Sequence, residues 1–263
     1  MKLLKFTAII VVALTFAQCE QENEIIDSID TIIQDNETID KIAKLGFDTK
    51  NYPVLKDGEY FTVEGDINIL ADDIEKININ NQNIQSKQRR FPLEFIVSCE
   101  QIRYITVFNN LPNNSPARGA VNLAMQHWND IDKCDIRFAA TSNINSAEII
   151  ISKGPLVGAV GKGSFPTGGK PGKYIRLDLD QFSFLDYGRW RTVIEHELGH
   201  NIGFAHSDDI AENGAILISG TPSNDSNSIM FSGISNFNRT LNGDDKKAAR
   251  LMYNLNFSDR LCN

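Results

Sequence analysis

The chain has 263 residues, of which 41% are hydrophobic and 23% charged, and its formal net charge is −8. This composition is that of a folded globular protein, and the negative charge excludes the basic face that a nucleic-acid binder needs. Its four scattered cysteines make neither a disulfide scaffold nor a CxxC metal knuckle. A chain of this length buries roughly 70–75% of its unfolded surface, so it folds without depending on disulfides.

The first residues have the pattern of an export signal. Met1–Lys5 carries two lysines, and an uncharged apolar run follows from Phe6 to Phe16. That run is too short to span a bilayer, so we assign residues 1–18 to a signal peptide. Its end, Phe-Ala-Gln followed by Cys19, resembles a bacterial lipobox. We favour lipidation of Cys19 over ordinary cleavage after Ala17. We expect an exported protein, either a bacterial outer-membrane or cell-surface lipoprotein or an extracellular one.

A lipidated Cys19 leaves three further cysteines, which are Cys99, Cys134 and Cys262. An exported protein is free to form disulfides, and three thiols allow one bond and leave one over. The sequence does not choose the pair.

Residues 19–45 combine a tether and a helix. The tether is short and acidic, and the isoleucines that follow recur at steps of three and four residues. This spacing predicts an amphipathic helix over residues 24–45, with Gly46 as a natural stop.

Residues 46–92 are predicted to form either an accessory segment or an inhibitory pro-segment. Within them, the alternation in residues 58–70 predicts a hairpin that turns at Gly65-Asp66. Residues 75–92 are rich in Asn, Gln and Lys and have the character of a linker.

From residue 93 to residue 263 the pattern becomes a compact unit of strands and helices. Alternating and β-prone apolar runs predict strands at 104–108, 135–139, 147–152 and 174–179. Apolar residues at helical spacing predict helices at 116–131, 187–202 and 244–255. Residues 154–173 hold seven glycines, too many for a regular element.

The histidines carry the chemical signal. His196 and His200 are four residues apart, so on a helix they lie on one face, where two imidazoles can bind one tetrahedral zinc. Glu197 projects about 100° away, close enough to act on a water at the metal without being a ligand. The other side of this helix is an apolar stripe, predicted to be buried, of Trp190, Ile194, Leu198 and Ile202.

Gly203 lies where this helix has to stop, and its freedom to adopt positive φ allows a sharp turn. The turn brings His206 back as a third ligand, and three protein nitrogens leave the open fourth position of a catalytic zinc. Such a zinc polarises a carbonyl and acidifies a water. Glu197 takes the proton of that water and later passes it to the leaving amine.

Three of the four histidines fall within one window of 11 residues. This coincidence argues against histidines that merely pack or face solvent on an ordinary helix. A structural or inactive zinc site is a second alternative. The presence of Glu197 argues against that alternative, because a structural site does not use a base.

The stretch from His196 to His206 resembles the extended zinc signature of the metzincin metallopeptidases, HExxHxxGxxH. Within that clan it is most similar to the bacterial dual-action HEIGH metallopeptidases, with Leu198 where the family name has isoleucine. Val63–Ile67 and the later Ser-Ile-Met turn also look like that family. Matrixins and astacins fit less well. The chain lacks a PRCGxxD motif, and Ser232 stands where astacins carry a zinc-binding tyrosine.

This resemblance implies an α+β, metzincin-like zincin fold. A twisted, mostly parallel sheet carries two helices above the cleft, with a C-terminal helix and a Met-turn below, and a small N-terminal helical and hairpin segment precedes it. By the same resemblance Met230, 24 residues after His206, is the Met-turn residue, a soft apolar floor rather than a ligand. An edge strand that pairs with substrate is expected near residues 158–165, where the alternative is a flexible loop.

Five other polar side chains have simpler interpretations. His127 is predicted to be a packing or surface histidine rather than a ligand. Asp178 and Asp180 alternate on a predicted strand, which suits a solvated face better than a calcium site. Asp208 and Asp209 either support the third histidine or cap a turn.

We therefore predict a monomeric zinc metalloendopeptidase in residues 93–263, secreted or anchored to a membrane through Cys19. It acts on peptides or proteins and not on nucleic acid. Two alternatives stay open: a zinc hydrolase of a non-peptide amide, and a catalytically inactive zinc-binding surface lipoprotein. Peptide specificity is not readable from the polar stretch at residues 207–235.

Overall fold

The computed structural model of the protein describes residues 31–76, 89–90, 95–208, 216–222, 224–234 and 238–254. The predicted signal peptide, Cys19, Asp209 and Cys262 lie outside the described residues. Among the helices that are described, none combines the length and the apolar character needed to cross a membrane.

The N-terminal segment, residues 31–76, is a small antiparallel sheet with two helices. Its elements are β1 (Thr31–Ile32), α1 (Asn36–Leu45), β2 (Leu55–Asp57), β3 (Tyr60–Val63), β4 (Ile67–Leu70) and α2 (Ala71–Lys76). Strands β3 and β4 pair antiparallel and form the predicted hairpin. Helix α2 extends two residues into the stretch 75–92 that we predicted to be a linker.

The prediction of one helix over residues 24–45 was wrong at its N-terminal end. Asp35 caps α1 by accepting hydrogen bonds from two backbone N–H groups of the first turn, and β1 pairs antiparallel with β2. A capping aspartate fixes the start of a helix whatever the apolar spacing before it. The isoleucine spacing therefore predicted a start that is too early. Gly46, with a φ of 107°, ends α1 as predicted. Residues 24–30 lie outside the described residues.

The rest of the described chain is the unit that carries the histidines. Its strands are β5 (Arg89–Arg90), β6 (Ile105–Asn110), β7 (Phe138–Thr141), β8 (Ile149–Lys153), β9 (Gly161–Ser164), β10 (Tyr174–Leu177) and β11 (Ile216–Leu217). Its helices are α3 (Pro116–Asn129), α4 (Tyr187–Asn201) and α5 (Gly243–Tyr253). The three predicted helices are present with ends shifted by one or two residues.

One sheet connects the two parts of the chain. The described strands form it in the order β1-β2-β3-β4-β9-β10-β8-β6-β7. Strands β10, β8, β6 and β7 run parallel to one another, and β9 runs antiparallel to β10. The N-terminal segment joins the sheet because β4 pairs in parallel with β9. An α+β fold is thus confirmed, and its mixed sheet is parallel from β10 to β7 and antiparallel from β1 to β4.

The glycine-rich stretch 154–173 contains a regular strand, β9, which corrects the expectation that it holds no regular element. The strand lies where the family resemblance placed a substrate-binding edge. Glycine is required here, because a Cβ at Gly163 would lie only 2.9 Å from the backbone oxygen of Glu197. The strand is held by its pairing with β4 and β10 on its two sides, because its own residues have little intrinsic β-propensity.

Two hydrogen bonds fix α4 between its neighbours. On one side the Trp128 indole of α3 donates to the backbone carbonyl of Glu195, with an N–O distance of 3.0 Å. On the other side the hydroxyl of Tyr253, at the end of α5, donates to the carbonyl of Ile202. All three helices and the parallel strands contribute residues to one large core of buried apolar side chains.

Candidate metal centre

Helix α4 is buried from Thr192 to Asn201. At its C-terminal end the side-chain amide of Asn201 donates to the carbonyls of Ser164 and Gly172, at 3.1 and 2.7 Å. This amide fastens the helix to the end of β9. The apolar stripe predicted from the sequence is buried, and comprises Trp190, Ile194, Leu198 and Ile202.

The chain reverses direction at Gly203, which has a φ of 98°. A side chain does not fit here, because a Cβ would lie 2.5 Å from the carbonyl oxygen of Phe95. After the reversal, the N–H of Phe204 bonds to the carbonyl of Gly199 at 3.0 Å. The loop then brings His206 to the two helix histidines, with ring centroids 5.3 Å from His196.

Backbone carbonyls fix the tautomers of the two helix histidines. His196 Nδ1 lies 2.8 Å from the carbonyl oxygen of Ile229, and His200 Nδ1 lies 2.8 Å from that of Phe204. A carbonyl only accepts hydrogen bonds, so each Nδ1 carries the proton and each Nε2 keeps a lone pair. Burial, and next the neighbouring His196, lowers the pKa of His200 well below its usual range. Neutral imidazole is the form that binds metals.

Asp66, which lies outside the HExxHxxGxxH motif, places its carboxylate beside the Nε2 atoms of the three histidines. It lies in the turn between β3 and β4, and one carboxylate oxygen is 3.1 Å from His206 Nε2. Its oxygens lie 3.5 Å from His196 Nε2 and 3.7 Å from His200 Nε2. Among the described residues, Asp66 and the three histidines are the one group of three or more candidate ligands with ligand atoms within 4.8 Å of one another.

A zinc ion fits this group. A tetrahedral zinc with bonds of about 2.0–2.2 Å sets its ligand atoms about 3.3–3.6 Å apart. The observed separations run from 2.9 Å, between the two helix Nε2 atoms, to 3.7 Å. Three buried atoms around this space make no hydrogen bond with any described residue: Asp66 Oδ1, His206 Nε2 and Glu197 Oε2. Buried polar atoms without hydrogen bonds are costly, and a cation bound by Asp66 Oδ1 and His206 Nε2 removes that cost for these two atoms.

Glu197 lies beside this group and is not part of it. Its carboxylate faces β9, where a Cβ at Gly161 would lie 2.5 Å from Oε1. Burial, and next the charge of Asp66, raises the pKa of Glu197 well above its usual range. A carboxylate whose pKa is raised is a stronger base than an exposed glutamate.

Met230 lies under the histidines, at the predicted Met-turn. It is buried, and its sulfur packs against α4 at Gly199. The preceding residues are fixed by Asp245 of α5, which accepts hydrogen bonds from the Ser228 hydroxyl and the Ile229 N–H. The floor of the centre is therefore attached to the C-terminal helix.

A cavity of about 320 Å³ opens beside Glu197. Its apolar wall is formed by Val160, Val193 and Ile234, and the N-terminal segment closes it with Tyr52 and the turn at Asp66. Among the described residues, the charged side chains of the lining are the carboxylates of the centre and its turn. The volume is enough for one side chain of moderate size.

The remaining candidates have structural partners. His127 Nδ1 lies 2.5 Å from the buried carboxylate of Glu195, which supports the packing interpretation of this histidine. Asp178 accepts the N–H groups of two nearby loop residues, and Asp180 pairs with Lys153 at 2.7 Å. Asp208 does not support His206. It accepts the N–H and hydroxyl of a serine two residues after Met230 instead.

Sequence reasoning missed Asp66 and its neighbour Glu64 as members of the site. Glu64 Oε2 lies 3.3 Å from His206 Nδ1, the position we had considered for Asp208. Their only signal was the similarity of Val63–Ile67 to the HEIGH family, which does not say where that stretch lies in space.

Two histidines one turn apart on a buried helix, each with its Nδ1 held by a backbone carbonyl and a glutamate between them, place the chain among the HExxH metallopeptidases. The comparison with protein families agrees. Residues 61–253 match the dual-action HEIGH metallopeptidases, and the chain belongs to this family. Its class of activity is therefore the metal-dependent hydrolysis of peptide bonds. No curated protein matches the sequence.

Two solved structures are similar to parts of the chain. Myroilysin shares 17% identity over 59% of this chain and 94% of its own, with a TM-score of 0.41. High choriolytic enzyme 1, a hatching-enzyme zinc protease from the medaka fish Oryzias latipes, shares 20% identity over 48% of this chain and 67% of its own, with a TM-score of 0.31.

Proposed function

We propose that the chain is a zinc-dependent endopeptidase in which His196, His200 and His206 bind the metal and Glu197 is the base. The observation that carries the proposal is the fixed orientation of the two helix imidazoles. Their Nδ1 protons are held by backbone carbonyls, so both Nε2 lone pairs point to one place beside Glu197.

Zinc at this place supplies Lewis-acid chemistry, which polarises a carbonyl and makes a water easier to deprotonate. The chain supplies the proton transfers. Glu197 accepts the proton of the attacking water at a carboxylate oxygen and returns it to the nitrogen of the leaving amine. The bare backbone at Gly161 and Gly163 leaves room for this carboxylate next to a bound peptide.

The substrate is proposed to be an extended peptide along β9. That edge is paired here with β4, an internal stretch of chain that continues in both directions. An edge that holds the middle of a chain favours an endopeptidase over an enzyme that needs a free terminus. The cavity beside Glu197, with Val160, Val193 and Ile234 on one wall, has room for one side chain of that peptide.

We also propose that the protein is exported and anchored through a lipidated Cys19. The support is the charged start, the apolar run and the Phe-Ala-Gln-Cys boundary of residues 1–19. Mass spectrometry of the mature N-terminus tests this. A diacylglycerol-modified Cys19 that is lost in Cys19→Ser supports anchorage, and an unmodified N-terminus at residue 18 contradicts it.

The test of the enzymatic function uses residues 19–263, with zinc content and cleavage of a peptide library measured before and after limited trypsin treatment. Glu197→Gln is the test variant, and Glu100→Gln, at an exposed glutamate, is its control. We expect one zinc per chain in all three proteins. We expect peptide cleavage by the wild type and the control and none by Glu197→Gln.

Wild-type protein that binds zinc and cleaves no peptide in either state contradicts the proposal. Screening the same protein against non-peptide amides then separates the amide hydrolase from the inactive zinc-binding lipoprotein. Cleavage by Glu197→Gln at the wild-type rate contradicts the role of the glutamate.

A further inference from the structure

Part of the cavity beside Glu197 is attached to the loop that follows the third histidine. We propose that Asp208 is a positioning residue for substrate specificity, because it fixes Ser232 and thereby sets the width of the cavity that receives a substrate side chain. The proposal deepens the proposed function and rests on it, since the width of a cavity selects substrates only in an enzyme that cleaves peptides. It concerns residues 207–235, whose preference was not readable from the sequence.

Residues 232–234 line the cavity without belonging to any of the strands and helices given above. Other parts of the lining are held by regular structure. Gly161 belongs to β9 and Val193 to α4, so the hydrogen bonds of a sheet and of a buried helix fix them. A lining segment without such bonds is displaced more easily. Its position therefore depends on the contacts of its side chains.

Asp208 holds the first residue of this segment at two points. Its Oδ1 accepts the backbone N–H of Ser232 at 2.9 Å, and its Oδ2 accepts the Ser232 hydroxyl at 2.7 Å. Hydrogen bonds to an ionised acceptor are stronger than neutral ones, and two of them to one residue fix its orientation as well as its position. Ile234, at the other end, is 4% exposed and belongs to the large apolar core. The segment is thus fixed by packing at one end and by Asp208 at the other.

The same loop connects the segment to the metal centre. Asp208 follows His206 by two residues, and between them the N–H of Ser207 donates to the carbonyl of Met230 at 2.8 Å. Two neighbouring contacts, Ser207 with Met230 and Asp208 with Ser232, hold this loop against the Met-turn and the segment that follows it. A side chain in the cavity is thereby positioned relative to the histidines, and a wider cavity requires the Asp208 contact to break.

A fixed lining discriminates between side chains by their size. A side chain that is too large has to displace the lining, and one that is too small leaves space unfilled. A lining that moves adapts to both and selects neither. Asp208→Asn replaces one acceptor oxygen by an amide that only donates, so one of the two contacts to Ser232 is lost. We expect such a variant to accept a broader range of side chains and to keep its hydrolytic activity.

The test compares Asp208→Asn, Ser232→Ala and the double variant with the wild type, on residues 19–263 in the state in which the wild type is active. Asp40→Asn and Ser226→Ala, at exposed positions, are the matched controls. The substrates are a peptide series with one varied side chain on each side of the cleaved bond, and kcat and KM are measured separately. We expect the ratio of kcat/KM between the preferred side chain and larger or smaller ones to fall about fivefold or more in both single variants. Zinc content and the controls should match the wild type.

The double variant shows whether Asp208 acts through Ser232. If it does, the second substitution adds little, and the double variant has the substrate profile of Asp208→Asn. Additive losses of selectivity in the double variant contradict this connection. Amide hydrogen exchange adds a readout that needs no activity, and we expect residues 232–234 to exchange faster in Asp208→Asn than in Asp40→Asn.

An unchanged substrate profile in Asp208→Asn, whatever its rate of exchange, overturns the proposal and leaves the proposed function intact. Loss of zinc from this variant also overturns it, because Asp208 would then act on the third histidine. If Asp208→Asn loses the wild-type circular dichroism, the profile of Ser232→Ala decides in its place. Wild-type protein that cleaves no peptide overturns the proposed function, and the role of Asp208 in specificity with it.

Discussion

Asp245 and His196 hold opposite ends of one residue, Ile229. Asp245 Oδ2 accepts the N–H of Ile229 at 2.9 Å, and the carbonyl of Ile229 accepts the Nδ1 proton of His196 at 2.8 Å. A carboxylate on α5 thus sets the position of the carbonyl that orients a histidine of the metal centre.

This relationship predicts that Asp245→Ala weakens zinc binding without touching a ligand. We expect the zinc affinity to fall about 10–100-fold, the range seen when a residue that orients a ligand is lost. The free energy of unfolding of the metal-free protein should fall by about 1–3 kcal/mol, because the Ile229 N–H loses its partner. Chelator competition and urea unfolding measure the two effects. Asp244→Asn is the control, and equal zinc affinity in the two variants would refute the connection.

Gly203→Ala is predicted to unfold the turn that carries His206. A Cβ there meets the Phe95 carbonyl at 2.5 Å and forces a side chain into positive φ. We expect a loss of about 2–4 kcal/mol in the free energy of unfolding and a reduced zinc content. Gly243→Ala is the matched control, because a Cβ at Gly243 meets nothing within 4 Å. Equal stability of both variants contradicts this account.

Gly161→Ala is predicted to separate catalysis from metal binding. Its Cβ would lie 2.5 Å from Glu197 Oε1, so the carboxylate has to move while the three histidines keep their positions. We expect the kcat for peptide cleavage to fall about tenfold or more, with zinc content unchanged. Gly119→Ala, where the nearest atom to a Cβ is 3.4 Å away, is the control. A kcat equal to that of the control would show that Glu197 tolerates the displacement.

Cys134 is predicted to be unreactive in the folded protein. It is a free, buried cysteine, whereas Cys99 is disulfide-bonded. Burial raises the pKa of the Cys134 thiol to about 11, so at pH 8 the thiolate is scarce. Alkylation should be at least about a hundredfold slower than for an exposed thiol, and should become fast in urea. Rapid labelling of native protein that disappears in Cys134→Ser would contradict its burial.

The histidines of the candidate metal centre could be predicted from the sequence because a helix places His196 and His200 on one face by spacing alone. The same regularity located α3, α4 and α5 to within two residues at each end, whereas α1 begins well after its predicted start. Gly203 was equally readable, since only a glycine suits a reversal between the helix and His206.

The edge strand was harder to predict from composition. Gly161–Ser164 has almost no β-forming residues, and its strand is defined by partners that lie elsewhere in the chain. The resemblance to metzincins placed a strand there, while the glycine count argued against one.

Asp66 could not be placed at all by local reasoning. It lies 130 residues before His196 in the chain, and no periodicity connects a hairpin turn to a helix at that separation. The contact depends on the pairing of β4 with β9, which is determined by the tertiary structure and not by the local sequence.

The pairing of β4 with β9 also has a consequence for how the chain reaches its folded state. The sequence Gly-Lys-Gly-Ser has little intrinsic tendency to form a strand. In the intact chain this strand is paired with β4 on one side and β10 on the other. A chain that begins beyond residue 76 has to order this strand against β10 alone. The N-terminal segment thus supplies one of the two neighbours that hold this strand in the sheet.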